Sequence, residues 1–250
     1  MGLPPEGGRA RFSRPVWRRG CWVCSSECIE RSRALGFTWA KGLGSTVEGI
    51  VHALSGDLDI AQTSYSQALE IQQRIGDEEG AGLSLGGLAQ LASGRGDLSV
   101  ALDLYRQSLA AFEAVGDRAE EARILAEMAW THLQDEDPAL ARRSFLDSVQ
   151  AYTDLASVRG VGLSLIGLVA TKAVEHRPEK AVQIAAAAEV YAHQEGIVNV
   201  YSDETPGREF VDQARAALSA EEVARATEVG RRLTIKEALD LAGIPQTAAV

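Results

Sequence analysis

The sequence predicts an all-α fold: a stack of helical hairpins with a period of forty residues, closed at its C-terminal end by a short helical cap. Three observations carry this. Gly56-Asp57-Leu58-Asp59-Ile60-Ala61 recurs forty positions later as Gly96-Asp97-Leu98-Ser99-Val100-Ala101, less closely as Glu136-Asp137-Pro138-Ala139-Leu140-Ala141, and a fourth copy keeps Pro178 and Ala181. The same step carries Tyr65 to Tyr105 to Phe145, Ala68 to Ser108 to Ser148 to Ala188, and Leu88 to Met128 to Leu168, so large positions stay large and small ones small. Within a unit, Ala61, Tyr65, Ala68 and Leu69 fall at i, i+4, i+7 and i+8, one apolar face at helical spacing, and Ala101, Tyr105, Ser108 and Leu109 repeat it. A fixed period of this length means units that bury their apolar faces by stacking on one another.

Each unit divides into two helical segments joined by a Gly-Asp turn. Glycine supplies the permissive backbone there, and aspartate is a natural N-cap for the helix that follows. Ile75-Gly76-Asp77 returns as Val115-Gly116-Asp117, so the turns between units share the chemistry of the turns within them. The pairing of a small residue with an aromatic one has a packing reason. Helices approach to about 8 Å only where side chains are small, and a ring four residues away fills the space at the next contact.

In chain order, residues 1–20 read as a disordered basic leader, with Pro4, Pro5, Gly7, Gly8 and Pro15 set among arginines. Stepping back from Gly76 lands on Gly36, so residues 21–40 read as a partial repeat, its second helix only. That start in mid-repeat is also what a piece of a longer array would give, with residues 1–20 foreign to the fold. Residues 41–196 hold four hairpins, and 197–245 the cap. Within the cap, Val198 to Pro206 reads as a loop before helical segments at Gly207 to Leu218, Ala220 to Gly230 and Ile235 to Ala242. Ser219 ahead of Glu222 and Thr234 ahead of Glu237 resemble capping boxes. A solenoid needs such a cover for its last apolar face.

Ala61, Tyr65 and Ala68, a small, aromatic, small pattern after a Gly-Asp turn, resemble the second helix of a tetratricopeptide repeat. The resemblance covers roughly residues 21–195 and implies a right-handed superhelix of hairpins that holds a protein or peptide on its concave face. The forty-residue period departs from the commoner one of about 34 and is similar to the longer-helix variant of bacterial regulators. The usual tryptophan and tyrosine of the family's first helix are missing. The tail, from Ala185-Ala186-Ala187-Ala188-Glu189 through Ala217-Leu218 to Gly230-Arg231-Arg232-Leu233-Thr234-Ile235-Lys236-Glu237-Ala238, resembles the C-terminal close of large ATP-binding transcriptional regulators of the LuxR-type and AfsR-like kind. In those proteins a nucleotide-binding domain precedes the repeats, and a DNA-binding or other effector domain sits at one end. This implies a sensor or interaction module whose partner is a protein, a peptide or a nucleotide-binding regulator domain. The alternative is a free-standing scaffold unrelated to transcription.

Composition bounds the remaining classes. A net charge of −10 argues against nucleic acid as a partner, because duplex binding relies on lysine and arginine neutralising phosphates. The first 33 residues do hold seven arginines against Glu6, Glu27 and Glu30, but Phe12, Trp17 and Trp22 are the only interleaved aromatics and no nucleic-acid module is recognisable. No run of about 18 apolar residues suggests a membrane span, and the leader lacks the apolar segment of a secretory signal. Three cysteines near one end form no paired framework, which fits a reducing compartment, so the expected location is the cytoplasm.

Candidate chemistry is sparse, and the expectation is a non-enzymatic protein with no cofactor. No G-x-x-x-x-G-K-[ST] loop is present to cradle phosphates, and no basic recognition helix stands at the end. Cys21, Cys24 and Cys28 invite a metal reading but lack a fourth ligand, and Cys28 shares the small-residue phase of Ala68. Gly80 to Gly87 looks like a nucleotide loop, yet Gly80 and Gly82 return as Gly160 and Gly162 at the start of first helices, which points to close helix approach. His52 and His132 lie two units apart, too far to share a metal, and no serine, histidine and acid combination stands out.

The concave face of such a stack is lined by the first helix of each unit. Counting from the small residues, its expected contributors are Thr46 and Ile50, Gly86 and Gln90, Ala126 and Trp130, then Ile166 and Ala170. These are mostly small or apolar, and the lysine and asparagine of a carboxylate clamp are missing. An apolar or mixed helix, or a neighbouring domain, suits the face better. Trp130 is the expected anchor, with ordinary core packing as its other reading, since buried tryptophans dominate interface energies.

Overall fold

A computed structural model describes residues 37–194 and 207–243. The chain runs through α1 (Thr38–Ser55), α2 (Leu58–Ile75), α3 (Glu78–Arg95), α4 (Leu98–Val115), α5 (Arg118–Gln134), α6 (Pro138–Asp154), α7 (Val158–Val174) and α8 (Pro178–Gln194). Three shorter helices follow: α9 (Arg208–Ala216), α10 (Ala220–Arg232) and α11 (Ile235–Ala242). Odd-numbered helices up to α7 are the first helices of four hairpins, each starting forty residues after its predecessor. The first hairpin opens at Thr38, ahead of residue 41. Phe37 stands there at the N-cap position held later by Asp77, Asp117 and Ser157. The leader, the partial repeat ending at Gly36, its three cysteines and the Val198–Pro206 loop lie outside the described residues. Those that are described contain no strand.

The turns explain why the period is so regular. Gly56, Gly76, Gly96 and Gly116 close their helices with φ of 85°, 71°, 86° and 73°, a left-handed conformation that glycine adopts without steric penalty. In the second half of the array the geometry persists but the glycines do not. Glu136, Ala156 and His176 hold φ of 57°, 52° and 55° at the equivalent positions, each at a cost of roughly 1–2 kcal/mol. The aspartates that follow differ in role. Asp77, Asp117 and Asp137 accept backbone N–H bonds at helix starts, whereas Asp57 and Asp97 make no cap bond, and the Asp57 carboxylate lies 3.4 Å from the His52 ring.

Glycines within the first helices make room for rings of the second helices. A Cβ added at Gly49 would lie 2.6 Å from the Tyr65 ring and one at Gly87 would lie 2.5 Å from it, so this ring is held between α1 and α3 with glycine on both sides. Gly82 meets Phe112, Gly160 meets Tyr152 and Gly167 meets Phe145 in the same way. The expectation of close helix approach at Gly80 to Gly87 therefore holds in a specific form: each helix trades about 1 kcal/mol of propensity per glycine for burial of a ring. Ala61, Ala68, Ala101 and Ala141 are fully buried beside those rings.

The final hairpin is covered as a solenoid end requires. Val211, Ala214, Ala226 and Ala242 of the last three helices join one apolar cluster with Phe145, Leu165, Leu168, Ala185 and Ala188. The crossing of α10 over α8 is close because both sides are small. Gly230 abuts the Gln183 carbonyl and the Ala186 methyl, where an added Cβ would come within 2.3 Å of that carbonyl oxygen. Capping boxes fix two of the starts: Ser219 Oγ accepts from Glu222 N and Thr234 Oγ1 from Glu237 N, each glutamate accepting in return from the cap backbone.

Candidate functional site

Successive first helices touch one another, α1 with α3, α3 with α5 and α5 with α7, while neighbouring second helices make no comparable contact. The array therefore closes on the first-helix side, and its inner face is built from α1, α3, α5 and α7. At 3.6 residues per turn, positions seven and eleven apart nearly superimpose along a helix. Leu43, Ile50 and Leu54 form such a line on α1, each at least two-fifths exposed. At the matching positions of α7, Leu163 and Val174 are 44% and 37% exposed, but Ala170 between them is fully buried.

The residues expected on this face divide into three groups. Ile50 is 44% exposed and Gln90 is exposed, its amide donating to Glu127 Oε1 at 3.2 Å. Ala126 is half-buried against the last apolar cluster. Thr46, Gly86, Ile166 and Ala170 are buried. Thr46 lies about 60° around the helix from the Leu43 line, and its hydroxyl is engaged between repeats. The Gln72 amide oxygen accepts from Thr46 Oγ1 at 2.9 Å while its nitrogen donates to Ser84 Oγ at 2.7 Å and to the carbonyls of Ala68 and Gly80.

Trp130 is half-buried with a ring on each side. Its indole meets the edge of Phe145 at a centroid distance of 5.2 Å and stacks on Phe210 of α9 at 6.3 Å with an interplanar angle of 29°. The turn before α9 presses on the same spot. A Cβ on Gly207, whose φ is 90°, would lie 2.7 Å from the indole and 2.8 Å from Ile166 Cγ2. Thus α9, which packs on both α7 and α8, also covers the inner-face tryptophan of α5. Beside it a cleft of about 870 Å3 remains open, lined by Leu133, Ala173, Val174, Phe210, Ala214 and Ala217 among others.

A polar group on α5 also belongs to this face and was not picked out from the sequence. Arg123 bridges to Glu120 at 2.6 Å, and burial raises the Glu127 carboxyl above the ordinary glutamate range, opposed by Arg123 and the Gln90 hydrogen bond. Burial pushes the Tyr65 phenol up to about 12 and raises Tyr105 as well, aided there by the negative Glu127. The phase relation of Arg123 to Leu43 and Leu83 was available in the sequence. What hid it was the change from leucine to arginine at that step.

Among the described residues no group of three or more histidine, cysteine or acidic side chains is placed to hold a metal. No described helix is long and apolar enough to cross a membrane. His132 is buried, which lowers its pKa despite the nearby Asp137, and His52 faces Asp57, so neither sits in a metal-like cluster.

Residues 48–114, from within α1 almost to the end of α4, match the tetratricopeptide-repeat family model, which supports a tetratricopeptide region there. In structure the chain is similar to BtubC (BKLC) from P. vanneervenii, with a TM-score of 0.62 and 17% sequence identity. The match covers 95% of this chain and 98% of that crystal structure's chain. The likeness is one of fold, the helical-repeat array of the described residues. No protein of curated function matches in sequence.

Proposed function

We propose that this protein is a non-catalytic interaction module that holds a protein or peptide partner against the inner face of its first helices. The single observation that carries the reading is the apolar line Leu43, Ile50 and Leu54, exposed on the inner side of a tetratricopeptide region and bordered by the polar Gln90–Glu127 pair. An apolar line with a polar rim is the composition of a peptide-binding groove. The tail's resemblance to ATP-binding LuxR-type and AfsR-like regulators supports a bacterial transcription-regulator lineage, with a neighbouring nucleotide-binding domain as the partner. The mixed chemistry around Gln90 favours a second reading, a free-standing scaffold for a peptide unrelated to transcription.

Quantitative crosslinking capture from the native cell tests the module. Ile50→Glu alters an exposed site, so stability should stay within about 0.5 kcal/mol, while a specific partner present with wild type should be lost. A nucleotide-binding regulator among the lost proteins supports the first reading, and another protein the second. An unchanged set of captured proteins refutes both.

A further inference from the structure

We propose that the cleft between the last two hairpins and α9 binds a small organic cation, an amine whose apolar body lies on the cleft floor and whose ammonium group stays at the open, acidic side. The site is distinct from the apolar line on α1 and does not depend on it. Its volume of about 870 Å3 lies within the range of small-ligand sites. The floor is apolar: Leu133, Ala173 and Phe210 are half-buried and Ala214 is buried. The polar lining residues, Gln134, Glu136, His176 and Gln213, are all exposed and so border the side that opens to water. An amphipathic ligand suits such a cleft, because its charged end need not leave water.

The charges around the cleft set the sign of the ligand. Among the described residues no lysine or arginine lines it, and Glu136 is its one carboxylate. Lys172 of α7 and Arg142 of α6 are both engaged by Glu175, the neighbour of His176. Helices α5 and α7 end at the cleft with Gln134 and Val174, where the negative end of each helix dipole adds to the carboxylate. Pro138 and Pro178, which lack an N–H, leave the carbonyls of those two residues without a donor at i+4. The hairpin turns supply an independent observation. They are closed in the left-handed conformation by Gly56, Gly96, Glu136 and His176 in succession. The first two units use glycine, which fits without strain, whereas the two units that border the cleft carry polar side chains there at a steric cost. Neither side chain makes a hydrogen bond or ion pair among the described residues, so no internal contact accounts for its presence. Strained residues of this kind gather at ligand sites.

The test titrates the full chain with three probes of one shape, phenylbutylamine, phenylbutanol and phenylbutyrate, followed by amide chemical shifts in NMR. Probes of about a dozen non-hydrogen atoms should bind with a Kd of about 1 mM. The amine should bind at least about fivefold tighter than the carboxylate, with the alcohol between them, and should shift the amides of Ala173 and Ala217. Glu136→Gln should narrow that spread at least about threefold and leave alcohol binding unchanged. Glu136→Gly should narrow it equally while raising the melting temperature by about 2–4 °C, because it relieves a left-handed side chain, so that weaker amine binding is separated from unfolding. Ala217→Phe, at an exposed position, fills the cleft and should abolish binding of all three probes. Equal affinity for the three probes, an amine indifferent to Glu136→Gln and Glu136→Gly, binding that survives Ala217→Phe, or no saturation by about 10 mM of any probe would overturn the proposal.

Discussion

Gly167→Ala should destabilise the protein, although alanine is the better helix former. The added methyl would lie 2.1, 2.2 and 2.5 Å from three carbons of the Phe145 ring. Carbon atoms pack favourably at about 3.5–4.0 Å, so ring or helix must shift by more than an ångström. The ring has nowhere to go, being fully buried with the Trp130 indole 5.2 Å away. Overpacking of this kind costs about 3 kcal/mol at the upper end of its usual range, against a propensity gain of about 1 kcal/mol. The net loss of about 2 kcal/mol corresponds to a fall in melting temperature of about 4–8 °C for a chain of this size. Gly94→Ala is the matched control. No atom lies within 4 Å of its added methyl, so propensity alone acts and the melting temperature should rise by about 1–4 °C. Thermal unfolding followed at 222 nm reads both. Two substitutions that move the melting point in the same direction would refute the reasoning that rings, not backbone turns, account for the glycines inside first helices.

Other positions give independent checks. Ala156→Gly relieves a left-handed alanine and should stabilise by about 1 kcal/mol, measured by urea denaturation; no shift in midpoint would argue against that backbone geometry. Ser219→Ala removes one capping box and should cost about 1 kcal/mol, with hydrogen exchange accelerating in α10 before the hairpins. Glu127 has a folded pKa raised by burial, so its contribution to stability is greatest at low pH and declines as pH rises from the unfolded value through the folded one. The groups facing it are Arg123 on its own helix, Gln90 on α3, Tyr105 on α4 and Tyr152 on α6. Glu127→Gln keeps an acceptor for Gln90 and should flatten the decline that sets in as pH rises through the ordinary glutamate range; an unchanged pH profile would contradict it.

The hairpin architecture was legible because it is written in phase. The helix starts from Leu58 to Pro178 keep the forty-residue step, and both capping boxes fall at Ser219 and Thr234, whereas α1 opens at Thr38, ahead of the residue 41 expected from the sequence. The inner face was legible only in part. Counting from small residues found Ile50 and Gln90 but also included Thr46, which is buried between repeats against Gln72, and Ile166, which is buried with the turn at Gly207 pressing on it. The cover over Trp130 was not readable at all, since a tryptophan at a ligand phase and one beneath a C-terminal helix share the same periodicity. That distinction depends on where α9 comes to rest, a long-range contact for which Phe210 carries no repeat signal. Likewise Glu136, Ala156 and His176 stand where the earlier units have turn glycines, yet they hold the same left-handed geometry.

The claim at the centre of this account is that the first-helix face, and not the second-helix face, receives the partner. A photoreactive amino acid placed singly at Ile50 and Gln90 on the inner face, and at Val100 and Gln107 on the second helices, tests it in the native cell. All four side chains are exposed, so accessibility does not bias the comparison. The account predicts a discrete adduct of the same mass from Ile50 and Gln90 and none from the other two. Adducts confined to Val100 and Gln107, or absent from every position, would contradict it.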